Sequence, residues 1–410
     1  QMGSRANRPA RIGKRGSVDY RLPEIDEWET AQPHAMWAEA RAHCPVVSVE
    51  PQPWEDAGSF HVLGHAEAAA VLRDWQTFSS TINGDLMGPF MGDLILALDG
   101  EEHRHYRNLV APAFRRSNLD RWRTELIEPV VGRLLEAVQP AGRADLVADF
   151  TVHYPVQVIC GIVGVPLEDH EQFTIWAEQI NHGPLDPEAG MAASTAMSEY
   201  LAPLVEARRS EPTGDLLSEL VNAEVDGERL SEERLFGFLR LLLPAGAETT
   251  YRALGNALVA LLTLPHVRER VKADSGLIPR LVEETIRWET SITMIMRRTT
   301  VDTELAGCPI PAGSPVTVLN GSAGRDPDRW PDPDAFDIDR EAGAHMGFGG
   351  GPHLCLGMHL ARLEMEVGLA AVLDMLPGVR LDEDAPVPEV SGYAFRGPAA
   401  LPVLFDAVTG

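Results

Sequence analysis

Residues 346–357 read Met346-Gly347-Phe348-Gly349-Gly350-Gly351-Pro352-His353-Leu354-Cys355-Leu356-Gly357, and a helix-forming run, Met358 to Leu376, follows at once. Five glycines crowd around one cysteine. Glycine tolerates positive φ and close backbone approach, which a ligand-cradling loop requires. A cysteine at a helix start has its thiolate favoured by the helix dipole and by unpaired N–H groups, so it is suited to bind metal. Read by itself the stretch has two other meanings. It can be a Gly-rich turn carrying a buried free thiol, or Cys355 can share zinc with His353 or His359, although no second ligand pair has zinc-finger spacing.

Upstream, Glu232 to Leu264 is a helical run bounded by Ser231 as N-cap and Pro265 as stop. At 1.5 Å per residue it spans about 50 Å, and its apolar face from Leu235 to Leu243 runs nearly all round, predicting a buried central helix. The middle, Pro244-Ala245-Gly246-Ala247-Glu248-Thr249-Thr250, breaks that pattern. Pro244 removes a backbone N–H, Gly246 lacks a side chain, and Glu248 puts a carboxylate in a buried region. Alone, this reads as a kinked core helix with a hydrogen-bonded Glu. Helical periodicity recurs over Pro33–His43, Leu119–Val138, Leu167–Ile180, Ser194–Arg209 and Leu277–Trp288. Strand-like pieces are short: Phe60–Leu63, Thr299–Glu304, Pro315–Leu319 and Ala400–Phe405. Arg325 to Arg340 is too rich in Pro and Asp for helix or strand and reads as a surface meander. The fold class is mainly α with a small antiparallel β part.

Of 410 residues, 44 % are hydrophobic and 23 % charged, which excludes disorder. The net charge of −26 argues against a nucleic-acid partner, since phosphate binding needs clustered Lys and Arg. Four scattered cysteines fit a reducing, cytoplasmic setting. The richest apolar run, Leu235 to Ala247, is broken by Arg240 and Pro244, so no membrane span is expected. Gln1 to Ser4 read as a cloning scar, and residues 1–17 as a disordered basic tail ahead of a single domain, 18–410.

Phe348 to Gly357 matches the FxxGxxxCxG pattern and resembles the haem-thiolate loop of the cytochrome P-450 family. Other stretches follow in that family's order. Ala245-Gly246-Ala247-Glu248-Thr249 resembles its oxygen-activation motif, Glu284-Thr285-Ile286-Arg287 its ExxR pair, and residues 325–340 its meander. His103 to Arg107 resembles its HxxxR segment. The resemblance implies a triangular helical prism holding heme b between the long central helix and the Cys loop. Cys355 thiolate would ligate the iron, with N–H groups of Leu356 and Gly357 on the sulfur and Phe348 and Gly349 against the proximal face. His103, Arg107, Arg297 and His353 would hold the propionates, with Arg298 competing for the place of Arg297. Glu284 and Arg287, three apart on a helix, would lock the meander rather than act in catalysis. Ala245 and Gly246 would lie beside the haem, Gly246 leaving room for dioxygen, while Glu248 and Thr249 deliver protons. Pro244 departs from the family's usual apolar residue, as does Ser291 from its usual Pro.

The implied activity is monooxygenation of a hydrophobic small molecule: hydroxylation, epoxidation or dealkylation. Dioxygen is the co-substrate, and electrons come from NAD(P)H through an external ferredoxin and its reductase, because no flavin or dinucleotide fingerprint is present. Arg104, Arg115, Arg116 and Arg362 are the candidate docking patch on a monomer. By position the substrate pocket would take Met87, Met91, Leu94, Ile180, Leu242, Ala245, Ile292, Met294, Ile295 and Phe395, although such a Met-rich stripe reads equally as core. Loops at Gly84–Gly92 and Gly183–Gly190 would be lids. A peroxide-driven peroxygenase and a non-catalytic haem sensor are the alternatives; retention of Glu248 and Thr249 speaks against the first.

Overall fold

The run around Pro244 folds as one unbroken helix, Glu232–Thr263, capped where the Ser231 side chain accepts the Arg234 N–H. Leu254, Leu258 and Leu261 on it have no exposed surface. Burial of each contributes about 1.5–3 kcal/mol, which outweighs the one hydrogen bond that Pro244 deletes. The structure is a computed structural model that describes residues 22–23, 25–50, 58–341 and 343–407. The expected tail at 1–17 lies outside the described residues. Nine helices are used below, labelled in chain order: α1 (His65–Arg73), α2 (Ile82–Met91), α3 (Gly100–Val110), α4 (His153–Val163), α5 (His170–Asn181), α6 (Pro187–Ser210), α7 (Glu232–Thr263), α8 (Ile278–Trp288) and α9 (Met358–Met375).

Helix α7 runs through the middle of the helical part and packs on α4, α5, α8 and α9. The helix expected at Leu119–Val138 starts three residues earlier: residues 116–138 form one helical stretch with a π turn at Arg123–Ile127. The expected lid at Gly84–Gly92 is not a loop: α2 accommodates Pro89 near its end and stops at Gly92, whose φ of 83° a side chain would strain.

The β part is one five-stranded sheet and several two- or three-stranded ones. In the large sheet β1 (Val46–Val49) pairs antiparallel with β2 (Ser59–Val62). β2 lies parallel to β5 (Pro315–Leu319), with Phe60 opposite Val316. β5 is antiparallel to β4 (Met294–Thr299), with Thr317 opposite Met296, and β3 (Phe78–Ser79) closes the edge. The strand expected at Thr299–Glu304 is therefore displaced: β4 ends at Thr299, and Thr303–Leu305 forms a separate hairpin with Cys308–Ile310.

The Glu284–Arg287 pair does lock the meander. Arg287 Nε and Nη2 donate to the two Glu284 oxygens at 2.8 and 2.6 Å, and its remaining N–H groups reach the carbonyls of Gly324, Pro333 and Ala335. Glu284 also accepts from the Asp337 N–H and Arg340 Nε. A stretch with no ladder of its own is thus held through side chains. A second buried network went unread in the sequence: Glu289 accepts from His34, Arg325 and Arg396 at 2.6–2.8 Å. Burial opposes its charge, yet those partners hold its pKa down at about 2.

Candidate functional site

The Cys loop is wedged between two helices. A Cβ on Gly351, whose φ is 64°, would stand 2.0 Å from the Leu72 carbonyl oxygen of α1. A Cβ on Gly347 would stand 2.3 Å from Ile286 Cγ2 of α8. Both positions therefore demand glycine. The Cys355 N–H donates to the Phe348 carbonyl at 3.0 Å, folding the loop back on itself just before α9 begins. The Phe348 ring takes the Arg362 guanidinium over its face at 4.5 Å.

Cys355 keeps exposed surface although protein crowds it. Burial pushes its pKa up, opposed by the Gly357 N–H and by the charges of Arg107 and Arg362. The expected Leu356 N–H is not among those partners. Among the described residues no group of three or more His, Cys, Asp or Glu could hold a metal ion, so the zinc reading gains no ligand set.

The four predicted propionate residues come together. His103 and His353 lie with ring centroids 4.0 Å apart. His103 is pulled down to about 4, by burial first and then by the charges of His353 and Arg107. Arg297 is 4 % exposed, and its Nη1 donates to the Met296 carbonyl at 2.7 Å. Burial draws its pKa down to about 10, with Asp99 the counter-charge. Arg107 Nη2 donates to the Leu354 carbonyl at 2.6 Å, beside Cys355. Sequence reading missed Asp99. Its Oδ2 accepts from Ser79 Oγ at 2.6 Å and from the Ser80 N–H at 3.0 Å, while Oδ1 stands 3.6 Å from His353 Nε2 and has no hydrogen-bond partner among the described residues. Arg298, the competitor, turns outward to Asp85 at 2.6 Å.

On α7, Ala245 is exposed although the helix around it is buried, and Thr249 is half-buried. Thr249 Oγ1 donates to the Ala245 carbonyl at 2.8 Å. Glu248 is 6 % exposed and held by two residues not singled out from the sequence: Arg252 Nη2 at 2.9 Å and Asn181 Nδ2 of α5 at 2.8 Å. Arg252, at i+4, was legible in spacing; Asn181, 67 positions away, was not. The absent side chain of Gly246 also lets α4 approach α7, since a Cβ there would meet Ile159 Cγ1 at 3.3 Å.

The pocket expectation divides. Leu94 and Ile180 are 1 % and 0 % exposed and Met91 3 %, inside the main apolar core, so they pack rather than line a pocket. Met294 packs against the cluster around Trp37. Met87 and Leu242 are half-buried against the main core. Ile292 bridges to Phe395, and Ile295 Cδ1 lies 3.4 Å from where a Gly349 Cβ would stand. The predicted docking patch is already paired: Arg104 with Glu101, Arg115 with Glu219, Arg116 with Asp120, and Arg362 with Glu283.

These donors fit haem. Two buried or half-buried guanidiniums and two imidazoles face a single carboxylate, so cationic and N–H donor groups outnumber the one acid, and an accessible thiol stands beside them. The comparisons agree. Residues 276–377 match the cytochrome P450 family model. The chain is 38 % identical to the mycinamicin IV hydroxylase/epoxidase of Micromonospora griseorubida over 88 % of its own length and 92 % of that protein. It is 35 % identical to the cytochrome P450 monooxygenase PikC of Streptomyces venezuelae, covering 86 % of each. A solved cytochrome P450 structure from Chondromyces apiculatus superposes with a TM-score of 0.85 at 31 % identity, over 96 % of this chain and 100 % of that one. The chain belongs to the cytochrome P450 family. It is a bacterial-type haem-thiolate monooxygenase that oxidises small organic substrates with dioxygen. Among the described residues no helix is long and apolar enough to cross a membrane.

Proposed function

We propose that Cys355 is the thiolate ligand of heme b, that His103, Arg107, Arg297 and His353 bind its two propionates, and that the chain hydroxylates or epoxidises a hydrophobic small molecule. The observation that carries this is Arg107. It bonds the carbonyl beside Cys355, while His103, one turn earlier on α3, stands on His353. One helix therefore joins the thiol to the carboxylate-binding cluster. When bound, haem supplies dioxygen activation and oxygen insertion.

The protein supplies order and protons. Thr249 Oγ1 is the hydroxyl on the exposed face of α7, and it turns toward the cleft by giving up the Ala245 carbonyl. Glu248 is held between Arg252 on Oε1 and Asn181 on Oε2, and the remaining lone pair of Oε2 is where a proton would be taken up and passed on. Electrons come from NAD(P)H in the cytoplasm through a separate ferredoxin and reductase. Hydroxylase and epoxidase relatives support the reaction class.

The test is the visible spectrum of the reduced protein under carbon monoxide, in wild type and Cys355→Ser. A strongly red-shifted Soret band present in the first and absent from the second is expected. An unchanged band in Cys355→Ser, or no haem band in protein grown with haem precursor, sinks the assignment.

A further inference from the structure

Burial draws down the pKa of five arginines: Arg41, Arg107, Arg240, Arg297 and Arg325. Arg41 and Arg325 each have a carboxylate within 4.0 Å. Arg107 and Arg297 belong to the proposed propionate cluster, where Asp99 is the counter-charge of Arg297. Arg240 is left over. It lies on α7, one turn before Pro244, and among the described residues no carboxylate comes within ion-pair distance. Asp93 and Glu102 pair with Arg234 instead, and Glu233 is exposed. Arg240 Nε donates to the Phe236 carbonyl at 3.1 Å and Nη1 contacts Ser194 Oγ at 3.4 Å. Its Nη2 has no hydrogen-bond acceptor among the described residues.

The surroundings say where that group sits. A Cβ on Gly92, which ends α2, would stand 2.7 Å from Arg240 Nη2, and Ser194 belongs to α6. These two elements meet over α7. The Phe90 ring of α2 fits a notch between Gly183 and Gly190, where Cβ atoms would come within 2.7 and 3.0 Å of it. The guanidinium therefore occupies the seam of that closed joint, five residues before Ala245, or about 7.5 Å along the helix axis. A half-buried fork of N–H donors without an acid partner matches a carboxylate in charge and shape.

We propose that Arg240 anchors a carboxylate at the far end of the substrate, which makes the substrate an organic acid with an apolar body rather than a neutral molecule; this rests on the haem reading above. The probes are imidazol-1-yl alkanoic acids of graded chain length and their methyl esters. The imidazole fixes one end on the haem iron, and the chain carries the acid a known distance. Soret titration of the haem-loaded protein should show one intermediate length at which the acid binds at least about tenfold more tightly than its ester. In Arg240→Gln the preference should fall to about twofold or less, and Arg240→Lys should keep part of it.

Acid and ester binding alike at every length in wild type would overturn the proposal, as would a preference that survives in Arg240→Gln. Plain imidazole controls for the site. Equal affinity for it in all variants shows the haem pocket intact. If Arg240→Gln loses imidazole binding, the wild-type profile and Arg240→Lys decide. No Soret shift with imidazole in wild type overturns the haem reading, and this proposal with it.

Discussion

Replacing Arg287 with Met removes five hydrogen bonds: two to Glu284 and one each to the carbonyls of Gly324, Pro333 and Ala335. Glu284 keeps the Asp337 N–H and Arg340 Nε, both on Oε1, so Oε2 is left without a partner at 5 % exposure. Removing one member of a buried ion pair costs about 3–5 kcal/mol, because the other charge stays desolvated. Pro333 and Ala335 sit on the exposed side of the meander, where water can replace much of what their carbonyls lose. Unfolding entropy of roughly 2.1 cal/mol/K per residue over 410 residues converts that cost to a fall in melting temperature of about 4–6 °C. Arg287→Lys keeps the charge but not the planar fork and should recover only part of it. Thermal unfolding followed by far-ultraviolet circular dichroism reads both variants. A melting temperature within about 1 °C of wild type for Arg287→Met would refute the lock, and a loss of turnover without a loss of stability would make the pair catalytic.

Glu364 is fully buried, and burial raises its pKa well above the usual carboxylate value, so it is protonated in the fold while the unfolded chain ionises it. Its contribution is complete below the unfolded pKa and declines as pH rises above it, so Glu364→Gln should gain stability over wild type as pH rises above the ordinary carboxylate value; a difference that stays constant with pH contradicts the sign. Gly351→Ala should weaken haem retention and lower the melting temperature, because its Cβ meets a carbonyl at 2.0 Å and its φ is positive. Gly350→Ala, whose Cβ would find its nearest neighbour at 3.5 Å, is the control, and equal behaviour of the two would remove the wedge argument.

What could be read from the sequence was whatever is local. The Gly-rich Cys loop, the long helix and the Glu284–Arg287 spacing are each a matter of a few consecutive residues. The cation cluster was legible through resemblance, since its members come from α3, β4 and the Cys loop, and nothing in their spacing brings them together. Asp99, Asn181 and the Glu289 network were not legible, because a polar residue in a helix or loop carries no sign of which distant partner will bury it. Gly246 carries a second meaning that spacing does not show: a small residue at a motif position makes room for a neighbouring helix as well as for a ligand, and here that neighbour is Ile159. The α2 helix was missed because Pro89, Gly84 and Gly88 argue locally against helix, and packing of Phe90 into its notch overrides them.

The order of the large sheet has a consequence for how the chain is made. Residue 60 in β2 finds its parallel partner at residue 316, so this strand cannot complete its hydrogen bonding until most of the polypeptide has left the ribosome. At about 5–20 residues per second that wait lasts on the order of 10–50 s, with β2 meanwhile paired on one side by β1 alone. Non-local pairing of this kind slows folding and prolongs exposure of an apolar edge. Expression at lower temperature, or with chaperones that hold nascent chains, should therefore raise the yield of folded protein more than added haem precursor does.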